Sequence, residues 1–198
     1  MRYLLVFGIG VSLFATAQAQ TAAPAPQQLL DGPLIPGVCV LSRDGVLANA
    51  KVGQAVTARL RVLAQEAQAE INAERQPLEA EFTALQAESA KLTLAQRQAR
   101  EQALTTRLQP VQAKATLRGQ EIEATRTKAL QRVSAEIQPV VVTAYGQRKC
   151  GLLIDRTAVI GGNMGNDLTQ AVIQGLDARI STMTFNRETL PTAPAPTR

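Results

Sequence analysis

The chain has 198 residues, a formal net charge of +5 at neutral pH and an aromatic content of 3%. It contains no histidine, which excludes Ser-His-Asp triads, histidine-based acid–base chemistry and most zinc sites. Few aromatic rings are present to stack on bases, so a nucleic-acid partner is disfavoured, while the positive charge favours acidic or anionic partners.

The N-terminal segment, residues 1–19, predicts a secretory signal peptide. Arg2 precedes an apolar run from Tyr3 to Phe14, and Ala17-Gln18-Ala19 is typical of a cleavage site. The run is shorter than the roughly 20 residues that span a bilayer, so a membrane anchor is the weaker alternative. We therefore expect a soluble, exported chain that starts with an Ala/Pro-rich disordered linker over residues 20–34.

Short β-like runs flank the middle of the chain, at Ile35–Leu41, Cys150–Asp155 and Thr157–Ile160. The two cysteines, Cys39 and Cys150, lie in the first two of these runs. An even number of cysteines in an exported chain favours a disulfide, and one within the chain would stabilise it by roughly 4 to 5 kcal/mol. Two buried thiols, or a bond between chains, are the alternatives.

The region from about Ala48 to Val142 is dominated by good helix formers, and its apolar residues form two narrow stripes spaced by three or four. Thr93, with Gln96 three residues later, is a capping-box signature that starts a new helix. This pattern predicts an antiparallel coiled-coil hairpin with arms of about 40 residues, roughly 60 Å each. In the alternative, an ordinary bundle, no other helices are available to cover the polar faces.

Two prolines interrupt the predicted arms at similar heights. Pro77 lies 16 residues before Thr93, and Pro110 lies 17 residues after it. Helix-breaking residues side by side across the hairpin predict a shared bend that acts as a hinge, with coincidence as the alternative. Pro139 is expected to mark the return from the helix to the strands.

A last amphipathic helix is predicted from about Leu168 to Ser181, with Asp167 as its N-cap and Gln170 reaching back to it. The Ala/Pro-rich composition that follows predicts a disordered tail over residues 183–198.

The sequence offers no convincing active site, so we expect no catalysis, no cofactor and no metal. The loop Gly161–Gly165 lacks the lysine of a phosphate-binding loop and is predicted to be a turn. Asp155 has no second acid or histidine nearby in the pattern, so an ion pair with Arg156 at a strand end is favoured over a catalytic carboxylate.

Basic residues outnumber acidic ones near the predicted turn. Residues 85–118 hold six basic and two acidic side chains, a net charge of +4 per chain. As a group they predict long-range, salt-sensitive attraction of acidic clients or anionic surfaces, although a solvated helical face would explain any single one. The six candidate binding residues are Lys91, Arg97, Arg100, Arg107, Lys114 and Arg118.

Two segments of the chain carry motifs that point to a known family. The segment GVCVLSRDGVLANAKVGQAV has Lys51-Val52-Gly53 at the entry to the long helix. The segment YGQRKCGLLIDRTAVIGGNMGNDLTQAVIQGLDARI has Tyr145-Gly146 and Asp167-Leu168-Thr169. With these motifs the sequence resembles the Skp/OmpH family of periplasmic chaperones over most of residues 37–180. The cysteines and the Pro77/Pro110 pair are not part of the family pattern.

The resemblance implies an α+β fold in which a helical coiled-coil hairpin, residues 48–139, stands on a small β-rich trimerisation head, residues 35–47 and 140–182. It implies a periplasmic homotrimer and an ATP-independent holdase, whose arms enclose a cavity for unfolded outer-membrane proteins. An anionic lipid or lipopolysaccharide surface is a further candidate partner.

Apolar residues of the head independently favour an oligomer, because a few short strands are marginal as an independent sheet and would expose these side chains. They are Val38, Val40, Leu152, Ile154 and Val159. The alternative function is a structural coiled-coil adaptor of an envelope export or assembly complex, which would carry larger β-rich halves around the hairpin. An enzyme ranks third.

Overall fold

The structure, a computed structural model, describes residues 32–191. The predicted signal peptide, most of the predicted linker and the last seven residues lie outside this range. The elements in chain order are β1 Val38–Leu41, α1 Arg43–Asn49, α2 Lys51–Glu88, α3 Leu94–Gln147, β2 Leu152–Asp155 and α4 Thr169–Arg179, with single 3₁₀ turns at Ser89–Lys91 and Arg156–Ala158.

The helices α2 and α3 form an antiparallel hairpin that dominates the molecule. They contain 38 and 54 residues, which correspond to lengths of about 57 and 81 Å. The hydroxyl of Thr93 accepts the Gln96 N–H at 3.3 Å, and the Gln96 side-chain oxygen accepts the Thr93 N–H at 3.0 Å. The predicted capping box at the turn is therefore confirmed.

The head is a mixed α/β cluster and not the β-rich unit that was predicted. In the described range, β1 and β2 form a two-stranded parallel sheet in which Val38 lies opposite Leu152. The predicted strand at Thr157–Ile160 is wrong, because the Asp155 carboxylate accepts the Thr157 N–H at 2.9 Å and the chain turns into a 3₁₀ helix. The helices α1 and α4 and the adjoining ends of α2 and α3 supply most of the core.

A close contact between α1 and α2 sets the entry into the hairpin. Ala50, with an extended backbone, separates the two helices. A Cβ atom on Gly53 would lie 1.9 Å from the carbonyl oxygen of Leu47, so only glycine fits there. The first turn of α2 is capped from a distance, because Asp177 of α4 accepts the Lys51 N–H at 2.7 Å. These contacts give the Lys-x-Gly pattern a physical reason.

Two predicted boundaries are corrected by the structure. The helix α3 continues through Pro139 to Gln147, and its last turns are buried in the head through Val141 and Ala144. The helix α4 is present as predicted, but its N-cap is Leu168. Asp167 instead accepts the Thr169 N–H at 2.8 Å and contacts Arg156 at 3.1 Å.

Residues 181–191, which we call the strap, lie extended along the hairpin. Met183 and Phe185 pack against the core of the head. Arg59 of α2 donates a hydrogen bond to the carbonyl of Phe185 at 3.2 Å, and Arg132 of α3 donates one to that of Thr184 at 3.3 Å. The predicted disorder from residue 183 is therefore wrong for residues 183–191, because these residues find partners far away in the sequence.

Within residues 32–191, none of the helices combines the length and the apolar character needed to cross a bilayer.

Candidate functional site

A ladder of interhelical ion pairs fixes the register of the hairpin. It consists of Glu88–Arg100 at 3.1 Å, Glu81–Arg107 at 2.8 Å, Glu74–Lys114, and Glu70–Arg118 at 2.7 Å. In every pair the two residues lie equally far from Leu94 along the chain. The hairpin is therefore symmetric about Leu94, and the height of any residue along the arm follows from its distance to Leu94.

The ladder changes the charge of the predicted basic cluster. Four of the six predicted residues, Arg100, Arg107, Lys114 and Arg118, are paired with glutamates of α2. Three of those glutamates precede residue 85, so the window 85–118 left out most of the acidic partners on α2. The stretch centred on Leu94, residues 70–118, holds seven basic and six acidic residues, a net charge of +1 and not +4.

Lys91 and Arg97 are the predicted tip residues that take no part in the ion pairs of the described chain. Both lie close to the turn between the arms. Any electrostatic attraction by the tip therefore depends mainly on these two side chains, and its range in physiological salt is about 8 Å.

The ion pairs hold two glutamates of α2 in the charged form. The hydrogen bond from Arg107 keeps the pKa of Glu81 below its ordinary value. The hydrogen bond from Arg118, followed by contacts with Arg187, does the same for the pKa of Glu70 against the opposing effect of burial. The arms are therefore joined by charged groups at neutral pH.

An apolar groove of about 800 Å³ opens on the distal half of the hairpin. Buried Ile71, Leu78 and Val111 form its floor with the partly buried Leu104 and Leu108. Phe82 lies at its side with 49% of its surface exposed. Arg75, Glu79 and Glu101 contribute charged groups to the wall. An open apolar channel with charges of both signs suits an apolar segment of another polypeptide.

The groove is not among the sites predicted from the sequence. Its apolar residues belong to the two predicted stripes, which were interpreted only as the seam between the arms. One signal was available, because Phe82 is the only phenylalanine of α2 and α3 and a ring of this size is rarely needed in a narrow seam.

The predicted hinge residues lie at the level of the groove. By the register of the ladder, Pro77 is opposite Val111 and Pro110 is opposite Leu78, so each proline neighbours a buried groove residue. Both helices continue through the prolines without a break. The shared height agrees with the predicted arrangement, and motion at this level stays a prediction.

The cysteines of the head form a disulfide, with the Cα atoms of Cys39 and Cys150 5.8 Å apart. The bond joins the start of β1 to the residues before β2, and both cysteines belong to the core. It closes a separation of 111 residues, which includes the whole hairpin.

The predicted oligomer residues divide by exposure. Val40 is buried in the monomer, and Val38, Ile154 and Val159 are partly buried. Leu152 of β2 has 53% of its surface exposed, and Ile35 and Ile160, which were not predicted, are still more exposed.

Since the opposite side of β1 is occupied by the bridge to Asp167, the free edge of the described sheet is that of β2.

The comparisons identify the class of protein that this architecture represents. The family described as outer membrane protein (OmpH-like) matches residues 37–176, so the chain belongs to that family. The resemblance found in the sequence is thereby confirmed.

A solved structure is similar as well. It is the crystal structure of a candidate outer membrane chaperone (OmpH-like) from Caulobacter crescentus, with 40% identity and a TM-score of 0.71. The match covers 80% of this chain and 94% of that one. Comparison with curated protein sequences gives no match.

Proposed function

We propose that this protein is an ATP-independent periplasmic holdase, which binds unfolded outer-membrane proteins and prevents their aggregation. The observation that carries the proposal is the open apolar groove around Phe82 on the distal hairpin. Unfolded outer-membrane proteins present apolar side chains along extended segments, and burying these in the groove would remove about 25 cal/mol per Å² of unfavourable contact with water. Holding a client in this way requires no chemical step.

We further propose that three chains assemble through their heads, so that their coiled-coil hairpins form the walls of a cavity. A two-stranded sheet is marginal by itself. The free edge of β2 and the exposed Leu152 and Ile160 would be covered by neighbouring heads. The number three comes from the family resemblance, while the exposed apolar residues support oligomerisation in general.

The disulfide supports the proposed periplasmic compartment. Bonds of this kind persist in oxidising environments such as the bacterial periplasm and are rare in the cytosol. The Cys39–Cys150 bond therefore supports export, together with the signal peptide predicted from residues 1–19.

Binding of an anionic lipid or lipopolysaccharide surface ranks second to client binding. The paired charges leave residues 70–118 with a net charge of +1. The surface would therefore have to contact Lys91 and Arg97 at the turn directly, because the attraction no longer acts at long range.

The test is the aggregation of a urea-denatured outer-membrane porin on dilution, followed by light scattering in the presence of the full chain. The wild-type protein should suppress scattering without ATP. Phe82→Ala should weaken suppression because it removes the ring beside the groove. Val62→Ala is the matched control, since Val62 is an exposed apolar residue of α2 outside the groove. Full aggregation with the wild-type chain would contradict the proposal.

A further inference from the structure

Two polar side chains of the hairpin are buried where an apolar seam was expected. Glu121 and Thr125 of α3 each have 2% of their surface exposed. A buried carboxylate without hydrogen-bond partners would cost several kcal/mol, so its partners must explain why it is there. Those partners include the strap.

Main-chain groups of the strap fill the acceptor sites of these two residues. The hydroxyl of Thr125 accepts the N–H of Glu188 at 2.8 Å. The carboxylate of Glu121 accepts the N–H of Leu190 at 3.4 Å. Side chains that accept alternate backbone N–H groups recognise an extended chain whatever its sequence, in the manner of an added strand.

One strap side chain adds a requirement for positive charge. Arg187 contacts Glu70 at 3.0 Å and Glu121 at 3.2 Å. Arg118 of α3 contacts the same two carboxylates, both at 2.7 Å. Without the strap, two acidic groups share one arginine, so the site has a net charge of −1 and favours a basic residue.

The strap lies on this site without belonging to a helix or a strand. Its neighbouring ion pair, Glu188–Lys128, is solvent-exposed, and exposed pairs contribute little to stability. Attachment to α4 provides an effective concentration on the order of millimolar for a short flexible connection. A tethered segment of this kind can occupy its site most of the time and still exchange with a competitor.

We propose that the hairpin carries a binding site for an extended polypeptide segment with a basic residue, formed by Glu70, Glu121 and Thr125. The strap occupies this site as a tethered competitor, and an extended client segment that carries arginine or lysine displaces it. The inference rests on the proposed holdase function for the identity of the client. The site adjoins the groove along the arm, since Glu70 precedes Ile71 of the groove floor.

The test measures binding of a fluorescein-labelled synthetic peptide, with the sequence of residues 181–191, to the full chain by fluorescence anisotropy. Arg187→Ala weakens the strap and leaves the site intact, so the peptide should bind at least about tenfold more tightly than to the wild-type chain. Arg179→Ala is the control with the same charge change, because Arg179 pairs with Glu136 outside the site. It should behave as the wild type does.

Two more variants separate the site from the strap. Phe185→Ala loosens the strap without touching the carboxylates, so it should also increase peptide affinity even if Arg187→Ala is poorly folded. Thr125→Val, combined with Phe185→Ala, removes one acceptor and should abolish the gain. A labelled peptide with alanine in place of its arginine should bind at least about tenfold more weakly.

Equal peptide affinity in the wild type and the folded Phe185→Ala variant would overturn the inference and make the strap a permanent part of the arm. The assay contains no porin, so this result would leave the holdase proposal standing. Conversely, failure of the wild-type chain to protect porin would leave the peptide measurement unaffected.

Discussion

Gly53 is the residue on which the junction between head and hairpin depends most. An added methyl group would lie 1.9 Å from the backbone of Leu47, which no side-chain rotation can relieve. Gly53→Ala should therefore destabilise the fold by about 1 to 3 kcal/mol or more, as in other overpacked cores. Urea unfolding followed by circular dichroism measures this change.

The chain supplies its own control for this substitution. Gly119 lies in α3, where an added Cβ would face open space. Gly119→Ala should stabilise the protein by roughly 0.5 to 1 kcal/mol, because alanine is the better helix former. If Gly53→Ala and Gly119→Ala both unfold at the same urea concentration as the parent, the close contact between Gly53 and the Leu47 backbone is contradicted.

Glu70 provides a pH dependence at the residue scale. Its pKa in the folded chain lies below its ordinary value, first because of Arg118 and then because of Arg187. Because folding lowers this pKa, the contribution of Glu70 to the stability of the fold is fully present above about pH 4.5. It is lost as the pH falls through the folded-state pKa. Thermal melts below pH 5 should therefore show a falling transition temperature.

Replacing Glu70 isolates that contribution. Glu70→Gln should reduce the melting temperature at pH 7 and flatten its dependence on acid pH. Glu123→Gln serves as the control, because Glu123 is exposed and takes part in none of the described ion pairs. Parallel acid profiles for Glu70→Gln and wild type would show that Glu70 contributes nothing to acid sensitivity.

The charged residues of the two arms follow a pattern that is present in the sequence but was not used in the prediction. The acidic ladder residues of α2 and the basic ones of α3 are mirror images about Leu94, and that symmetry is visible in the sequence once the turn is placed. The prediction counted charges along the chain instead of across the hairpin. Glu121 and Thr125 offered no such signal, because their burial depends on a segment more than 60 residues away.

At the scale of elements, features that depend on local contacts could be predicted from the sequence. The continuation of a helix that depends on tertiary packing could not. The turn of the hairpin was placed correctly because Thr93 and Gln96 satisfy each other within four residues. Pro139 is predicted to mark the end of the helix, yet α3 continues because Val141 and Ala144 are buried in the head. The strand predicted at Thr157–Ile160 failed because Asp155 binds the Thr157 backbone, a short-range Asx contact that its Asp-x-Thr spacing could have indicated.

The two distal prolines carry a prediction about the arm as an element. Each removes one helical hydrogen bond next to a buried groove residue. Pro77→Ala combined with Pro110→Ala restores both donors, so the variant should melt no lower than the parent. If the prolines act as a hinge, spin labels at Lys91 of neighbouring chains in the proposed trimer should show a narrower distance distribution in this variant than in the parent, as measured by pulsed electron paramagnetic resonance.

The same variant should lose capacity for large clients before small ones, because a stiffer arm would limit the widening of the proposed cavity. The ladder pair Glu74–Lys114 lies on the head side of the prolines and Glu81–Arg107 on the distal side, so the helices remain paired on both sides. Identical distance distributions in parent and variant would show that the two prolines do not act as a hinge.

At the scale of the whole molecule, the sequence indicated the family and the order of head, hairpin and head, but not the path of the strap. Residues 183–191 have the composition of a tail, and their docking needs Met183 and Phe185 to meet the core and Arg187 to meet carboxylates on both arms. No local pattern encodes such contacts. The strap covers the arm near the head, while the groove lies further along the hairpin.

The central claim is that the distal groove holds the unfolded client, and site-specific photo-crosslinking tests it most directly. A benzophenone amino acid would replace Phe82 in one protein and Val62 in another, each mixed with urea-denatured outer-membrane porin on dilution and illuminated. Position 82 should yield crosslinked porin in clear excess over position 62, whose side chain is 41% exposed and lies outside the groove. Equal yields at the two positions, or none at position 82, would contradict the claim.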